Sequence, residues 1–171
     1  YRLHDKFRKF LCDLKPTAPT VERQLERLTD APVEDRRRIT DAFAEIAADN
    51  PAYLEDFVDR MIEPLHDDDA QVRHNSSIII ARLAAAYPEQ VDSAAISTAM
   101  EFLESDEERL RRAAGRQLAD LADSNPQVLE PHIDQLRAIV EQGDRAYPAH
   151  TPMIVERLAK QYPEQMRLIV C

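Results

Sequence analysis

The sequence predicts an all-α protein, a right-handed α-α superhelix (solenoid) of four to five helical hairpins. Three observations carry this reading. First, the 171 residues include only 2 glycines, no tryptophan and 6% aromatics, too few turn and strand formers for a β-sandwich or barrel. Second, proline follows Asn or Tyr at Asn50-Pro51, Tyr87-Pro88, Asn125-Pro126 and Tyr162-Pro163, in steps of 37, 38 and 37. Third, other columns keep that register: the pairs Ile46-Ala47, Leu83-Ala84, Leu121-Ala122 and Leu158-Ala159, and the arginines Arg36, Arg73 and Arg111. A period of this length is one supersecondary unit that buries its apolar face only against its neighbours.

The elements follow in order. Residues 1–29 form a degenerate first hairpin, with helices over 3–12 and 19–29. Its Val21, Leu25 and Leu28 match Val58, Ile62 and Leu65 at a step of 37. Four hairpins follow, at about 30–67, 68–105, 106–143 and 144–171. Their first (A) helices are expected over 34–49, 70–86, 107–124 and 149–161. Ile80, Leu83, Ala84 and Tyr87 stand at i, i+3, i+4 and i+7, which makes one buried stripe. Each A helix stops at the Asn/Tyr-Pro step, because the residue before proline is pushed out of the helical region. The second (B) helices are expected over 51–65, 88–104, 127–142 and 163–171. They end at acidic turns, Asp67-Asp68-Asp69, Asp106-Glu107-Glu108 and Gly143-Asp144. Ser105-x-x-Glu108 offers a capping box, and Gly143 can take the left-handed conformation after a helix.

Charge narrows the class further. Lys+Arg is 22 against Asp+Glu 32, for a formal net charge of −10. The longest run free of formal charge is the ten residues Ala146 to Val155, too short and too proline-rich for a membrane span. Cys12 and Cys171 stand at opposite ends with no metal-ligand spacing, as expected of free thiols in a reducing, cytoplasmic compartment. The first fifteen residues carry five Lys or Arg and no apolar run, so they do not read as a secretory signal. Lysine occurs only at 6, 9, 15 and 160. An acid-rich, lysine-poor surface suits a salt-in halophile; a GC-rich genome also trades Lys for Arg, but does not account for the acid excess. The chain begins at Tyr1 and stops at Ile169-Val170-Cys171 within an apolar pattern, as expected for a piece of a longer array.

Over residues 30–171 the chain resembles the HEAT repeat family. The motif stands as Asp69-Ala70-Gln71-Val72-Arg73 through Leu83-Ala84 to Pro88. It recurs from Asp106-Glu107-Glu108 and Arg111 through Leu121-Ala122 to Pro126 and Pro131. The outer units depart from it: Pro148 stands where the arginine belongs, and Asp35-Arg36-Arg37-Arg38 lacks the Val-Arg pair. The 34-residue tetratricopeptide pattern is absent. The resemblance implies a non-enzymatic binding scaffold whose B helices line a concave wall. It extends to the HEAT-like modules of the phycobilisome lyase group, which would make the chain an accessory subunit of a modifying enzyme. Some HEAT-like folds are DNA glycosylases, which leaves a nucleic-acid binder as a further alternative.

Catalytic chemistry finds little support. His4, His66, His74, His132 and His150 are never followed by Glu, so the repeated His-Glu dyads of the deoxyhypusine hydroxylase type are missing. His66 beside Asp67-Asp68-Asp69 reads as a solvated turn. No Gly-x-Ser-x-Gly surrounds Ser76, Ser77, Ser93 or Ser97, and the isolated Gly115 and Gly143 cannot build a phosphate loop. Gly115 fits a close helix approach. No enzyme activity, cofactor or metal is expected. Arg109, Arg112 and Arg116 share one helical face, with Arg36-Arg37-Arg38 as a second cluster, but the net charge of −10 weighs against a phosphate-binding strip. Instead Arg112, Arg116 and Asp120 are expected to pair along the helix. Arg73 and Arg111 are expected to be structural, bonding turn residues such as Asp68 and Asp106 across the seam between hairpins. Glu55, Asp92 and Glu130 recur early in the B helices, where they complement the helix dipole. Asp56, Asp59, Glu63, Glu101, Glu104, Asp134 and Glu141 make the B wall acidic, which predicts a protein or peptide partner of basic character.

Overall fold

The computed structural model describes residues 17–141 and 151–170. These form α1 (Ala18–Asp30), α2 (Val33–Asp49), α3 (Val58–Ile62), α4 (Ala70–Ala86), α5 (Ser93–Glu101), α6 (Glu108–Ser124), α7 (Ile133–Glu141), α8 (Thr151–Gln161) and α9 (Pro163–Val170). No strand occurs among the described residues. The fold is an all-α solenoid. None of the helices is long and apolar enough to cross a membrane.

The A helices α2, α4, α6 and α8 end alike. The N–H of Asn50, Tyr87, Asn125 and Tyr162 donates to the carbonyl four residues back, at 2.8, 2.6, 2.8 and 2.7 Å. The following proline then holds that residue extended, with φ of −156° at Asn50, −134° at Tyr87 and −143° at Asn125.

The B segments are not the continuous helices expected. The first is a 3₁₀ turn over Pro51–Phe57, then α3, then a 3₁₀ turn over Glu63–His66. The third runs through 3₁₀ turns at Pro126–Val128 and Glu130–His132 before α7. Internal prolines explain this: Pro64 and Pro131 lack the N–H that a longer helix would need and crowd the preceding turn. In the second B segment the helix starts five residues later than expected, at Ser93 instead of 88. Pro88 opens a turn closed by the Gln90 N–H on the Tyr87 carbonyl at 3.0 Å, and the Asp92 side chain accepts the Ala94 N–H at 3.1 Å. That cap sets the start. The capping box at Ser105 and Glu108 does not form. The Ser105 hydroxyl accepts the Glu107 N–H at 3.2 Å, two residues on, and α6 starts from Glu107 without a side-chain cap.

The A helices stack directly, α2 on α4, α4 on α6 and α6 on α8, whereas the B segments touch one another much less. Small buried residues in the A layer (Ala44, Ala47, Ala81, Ala84, Ala114, Ala119 and Ala122) permit the close approach. Gly115 is also buried in α6, with a negative φ. One apolar cluster runs without a break from Val21 to Met166, and Leu83 and Leu121 lie at its centre with 0% and 1% exposure.

Candidate functional site

Three edges concentrate polar chemistry: the turns before the A helices, the outer face of the B segments and the seams between hairpins. At the turns, the arginine column works mainly through backbone. Arg73 Nη1 donates to the carbonyls of Asp67 and Asp68 at 2.7 and 2.9 Å, and Arg111 Nη1 to the Ser105 carbonyl at 2.5 Å. Arg36 does the same to Ala31 at 3.0 Å. Each guanidinium therefore ties down the loop five or six residues upstream of its own position. The spare nitrogens reach the next turn along: Arg36 forks onto the Asp67 carboxylate at 2.9 and 3.1 Å and touches Asp68, while Arg73 lies 3.7 Å from Glu107. Asp68 thus meets Arg73 through its carbonyl and Arg36 through its carboxylate. Asp106 is exposed and has no partner among the described residues.

Asp69 is the most strongly held acid. Arg37 grips both its oxygens at 2.9 and 2.6 Å, and one oxygen also accepts the N–H of Gln71 and of Val72 at 3.1 Å each, capping α4. The Arg37 bond, against a smaller effect of burial and aided by the Val72 N–H, lowers its pKa to about 2. Asp67 is pushed up by burial, but the Arg36 bond and the Asp69 N–H together bring it below the usual range.

On the outer face of the B segments, Asp56, Asp59, Glu63, Glu101, Glu104, Asp134 and Glu141 are all exposed. Against them stand the exposed Arg60 and the half-buried Arg137, the latter committed to Asp134 at 3.0 Å and to the Gln165 carbonyl at 3.1 Å. The arginines of α6 do not make a shared strip: Arg112 pairs with Glu108 one turn back, and Arg109 and Arg116 are exposed. The expected pairing of Arg112 and Arg116 with Asp120 is absent; Glu108 opens the same helix and takes Arg112 first. His66 is exposed, while burial, and then Arg109, lower the pKa of His74. His132 is buried, with Nε2 3.0 Å from the Ser93 hydroxyl. No group of three or more metal-ligating side chains assembles among the described residues. His4, Cys12, Gly143, Asp144, Pro148, His150 and Cys171 lie outside the described residues, as does most of the first half of the 1–29 hairpin.

Polar seam residues escaped the sequence reading. Asn75 is buried, donates to the Thr40 hydroxyl at 3.2 Å and accepts from Gln71 at 2.8 Å. The signal was there: an Asn-Ser-Ser run on the face of α4 that should otherwise be apolar.

No protein-family model matches the sequence. No curated protein matches it either. Solved structures do match. A designed armadillo repeat protein, YIII(Dq.V1)4CPAF in complex with peptide (KR)4, superimposes with a TM-score of 0.73 at 16% identity, over 89% of this chain and 71% of that one. Two engineered proteins from the Northeast Structural Genomics Consortium each give 0.68 over 88% of this chain, at 20% and 19% identity. The chain spans less than two thirds of their lengths, 66% and 40%. At such identities the likeness carries fold alone: this chain is similar to armadillo-type helical-repeat proteins and has the architecture of a helical-repeat solenoid.

Proposed function

We propose that this protein is a non-enzymatic interaction scaffold that binds a basic protein segment along the acidic face of its B segments. One observation carries the reading: seven carboxylates from three successive B segments are all exposed on one layer, against one free arginine and one already paired. Such a wall has a negative field that steers and orients a Lys- or Arg-rich chain. It lacks a cluster of exposed aromatics, so the contact is modest and salt-sensitive. A designed armadillo neighbour is in complex with the peptide (KR)4, which supports a basic peptide as the class of ligand.

On the expectation that the B segments line the concave wall of the stack, the ligand lies along that wall.

The test is the triple reversal of Glu63, Glu101 and Asp134 to Lys. Affinity for an alternating Lys-Arg peptide, measured by calorimetry, should fall about tenfold or more, because three surface charges at roughly 0.5 kcal/mol each sum to that size. The wild-type affinity should also weaken as salt rises, since screening shortens the field to about 3 Å near 1 M. Unchanged binding by the triple variant would leave the acids with a solvation role only.

A further inference from the structure

A cleft of about 410 Å³ opens between α1 and the end of the first B segment. Its floor is apolar, built by the buried Leu25 and Leu28 of α1. Its walls are charged. The B segment contributes Arg60, Glu63 and His66, all exposed. Arg36 enters from α2, and Asp67 and Asp68 from the turn before α4. Glu63 also belongs to the acidic face of the B segments, so the cleft adjoins that face at its N-terminal end.

The charges around the cleft do not cancel: two guanidiniums meet three carboxylates. Arg36 serves two of the three, forking onto Asp67 at 2.9 and 3.1 Å and reaching Asp68 at 2.5 Å. The Asp68 side chain nonetheless stays 90% exposed. Glu63 and Arg60 have no partner among the described residues. A lysine or arginine side chain fits such a site in both its parts. The methylene stem covers apolar surface, and the head stays with carboxylates and water. An aliphatic side chain would cover the leucines but strip water from the charges and replace it with nothing. An acidic one would meet the excess of negative charge. Arg60 opposes a second cation, so the cleft suits one.

We propose that this cleft is an anchor pocket for one lysine or arginine of the bound segment, its stem on Leu25 and Leu28 and its head toward the carboxylates of Glu63 and Asp68. Resting on the reading of the acidic face as the surface for a basic segment, the pocket supplies what an even field does not: a fixed register. The test uses the full chain and two probes. With Nα-acetyl-arginine amide, the methyl NMR signals of Leu25 and Leu28 and the ring signals of His66 should shift saturably. The uncharged norleucine analogue should leave them in place. Thr29 lines the cleft and is exposed, so Thr29→Trp fills it without entering the core. That variant should abolish the shifts and lower affinity for the alternating Lys-Arg peptide about three- to tenfold, the loss of one anchoring contact. Thr29→Lys, which sets an ammonium at the same place, should act alike and covers the case in which tryptophan disturbs the fold. Absent shifts, equal shifts with the norleucine analogue, or shifts that persist in both variants would overturn the anchor. The acidic face is read separately by reversing only Glu101 and Asp134, which lie outside the cleft. Peptide affinity lowered by that pair but unchanged in both Thr29 variants keeps the face and removes the anchor; the opposite pattern keeps the anchor and removes the face.

Discussion

Leu83→Ala and Leu121→Ala are each expected to lower stability by about 2–5 kcal/mol, the range for truncating a fully buried leucine. Both side chains sit in the unbroken core at 0% and 1% exposure, each one residue before an alanine of the tightly stacked A layer. Close helix approach leaves little room for the surroundings to collapse into the void, which favours the upper part of that range. In a chain of this size the unfolding midpoint should fall by about 4–20 °C, at about 2–4 °C per kcal/mol. Circular dichroism melts of each variant, beside the exposed Asp120→Ala as a surface control, give the comparison. A midpoint matching the control would mean that the helical register is wrong.

Acidification should unfold the protein through the turn before α4. Asp69 stays ionised in the folded chain down to about pH 2, while an unfolded aspartate takes up its proton near 3.9. Between those values the unfolded state binds protons that the folded state does not. Stability is therefore full above about pH 4 and is lost progressively as pH falls toward 2. Asp67 contributes in the same direction. Asp69→Ala removes the α4 cap as well as the Arg37 pair, and should cost about 1–3 kcal/mol at neutral pH. Asp69→Asn keeps a competent cap and loses only the ion pair, so it should cost less and flatten the acid limb of the stability curve. Denaturant titrations at pH 7, 4 and 2.5 measure both quantities. An acid limb as steep in Asp69→Asn as in the wild type would show that this carboxylate is not the source.

The A helices were legible because their signals are local and strong. The pre-proline step ends them, the apolar stripe faces them inward, and 70–86 forms over the very residues expected. The B segments were less legible, since Pro64, Pro88 and Pro131 lie inside them and periodicity says nothing about how a proline is absorbed. The site was half visible. Exposed acids can be read from spacing, but Arg73 and Arg111 bond carbonyls, and every residue has a carbonyl, so no residue type marks them.

The arginine column has a consequence for anyone who would lengthen this molecule. The turn before α4 is gripped twice, by Arg36 on its carboxylates and by Arg73 on its carbonyls. An inserted hairpin therefore closes the array only where its leading turn brings an acid for the arginine of the hairpin before it and its own arginine reaches the turn that follows. A graft that carries one without the other leaves a splice with a loose edge.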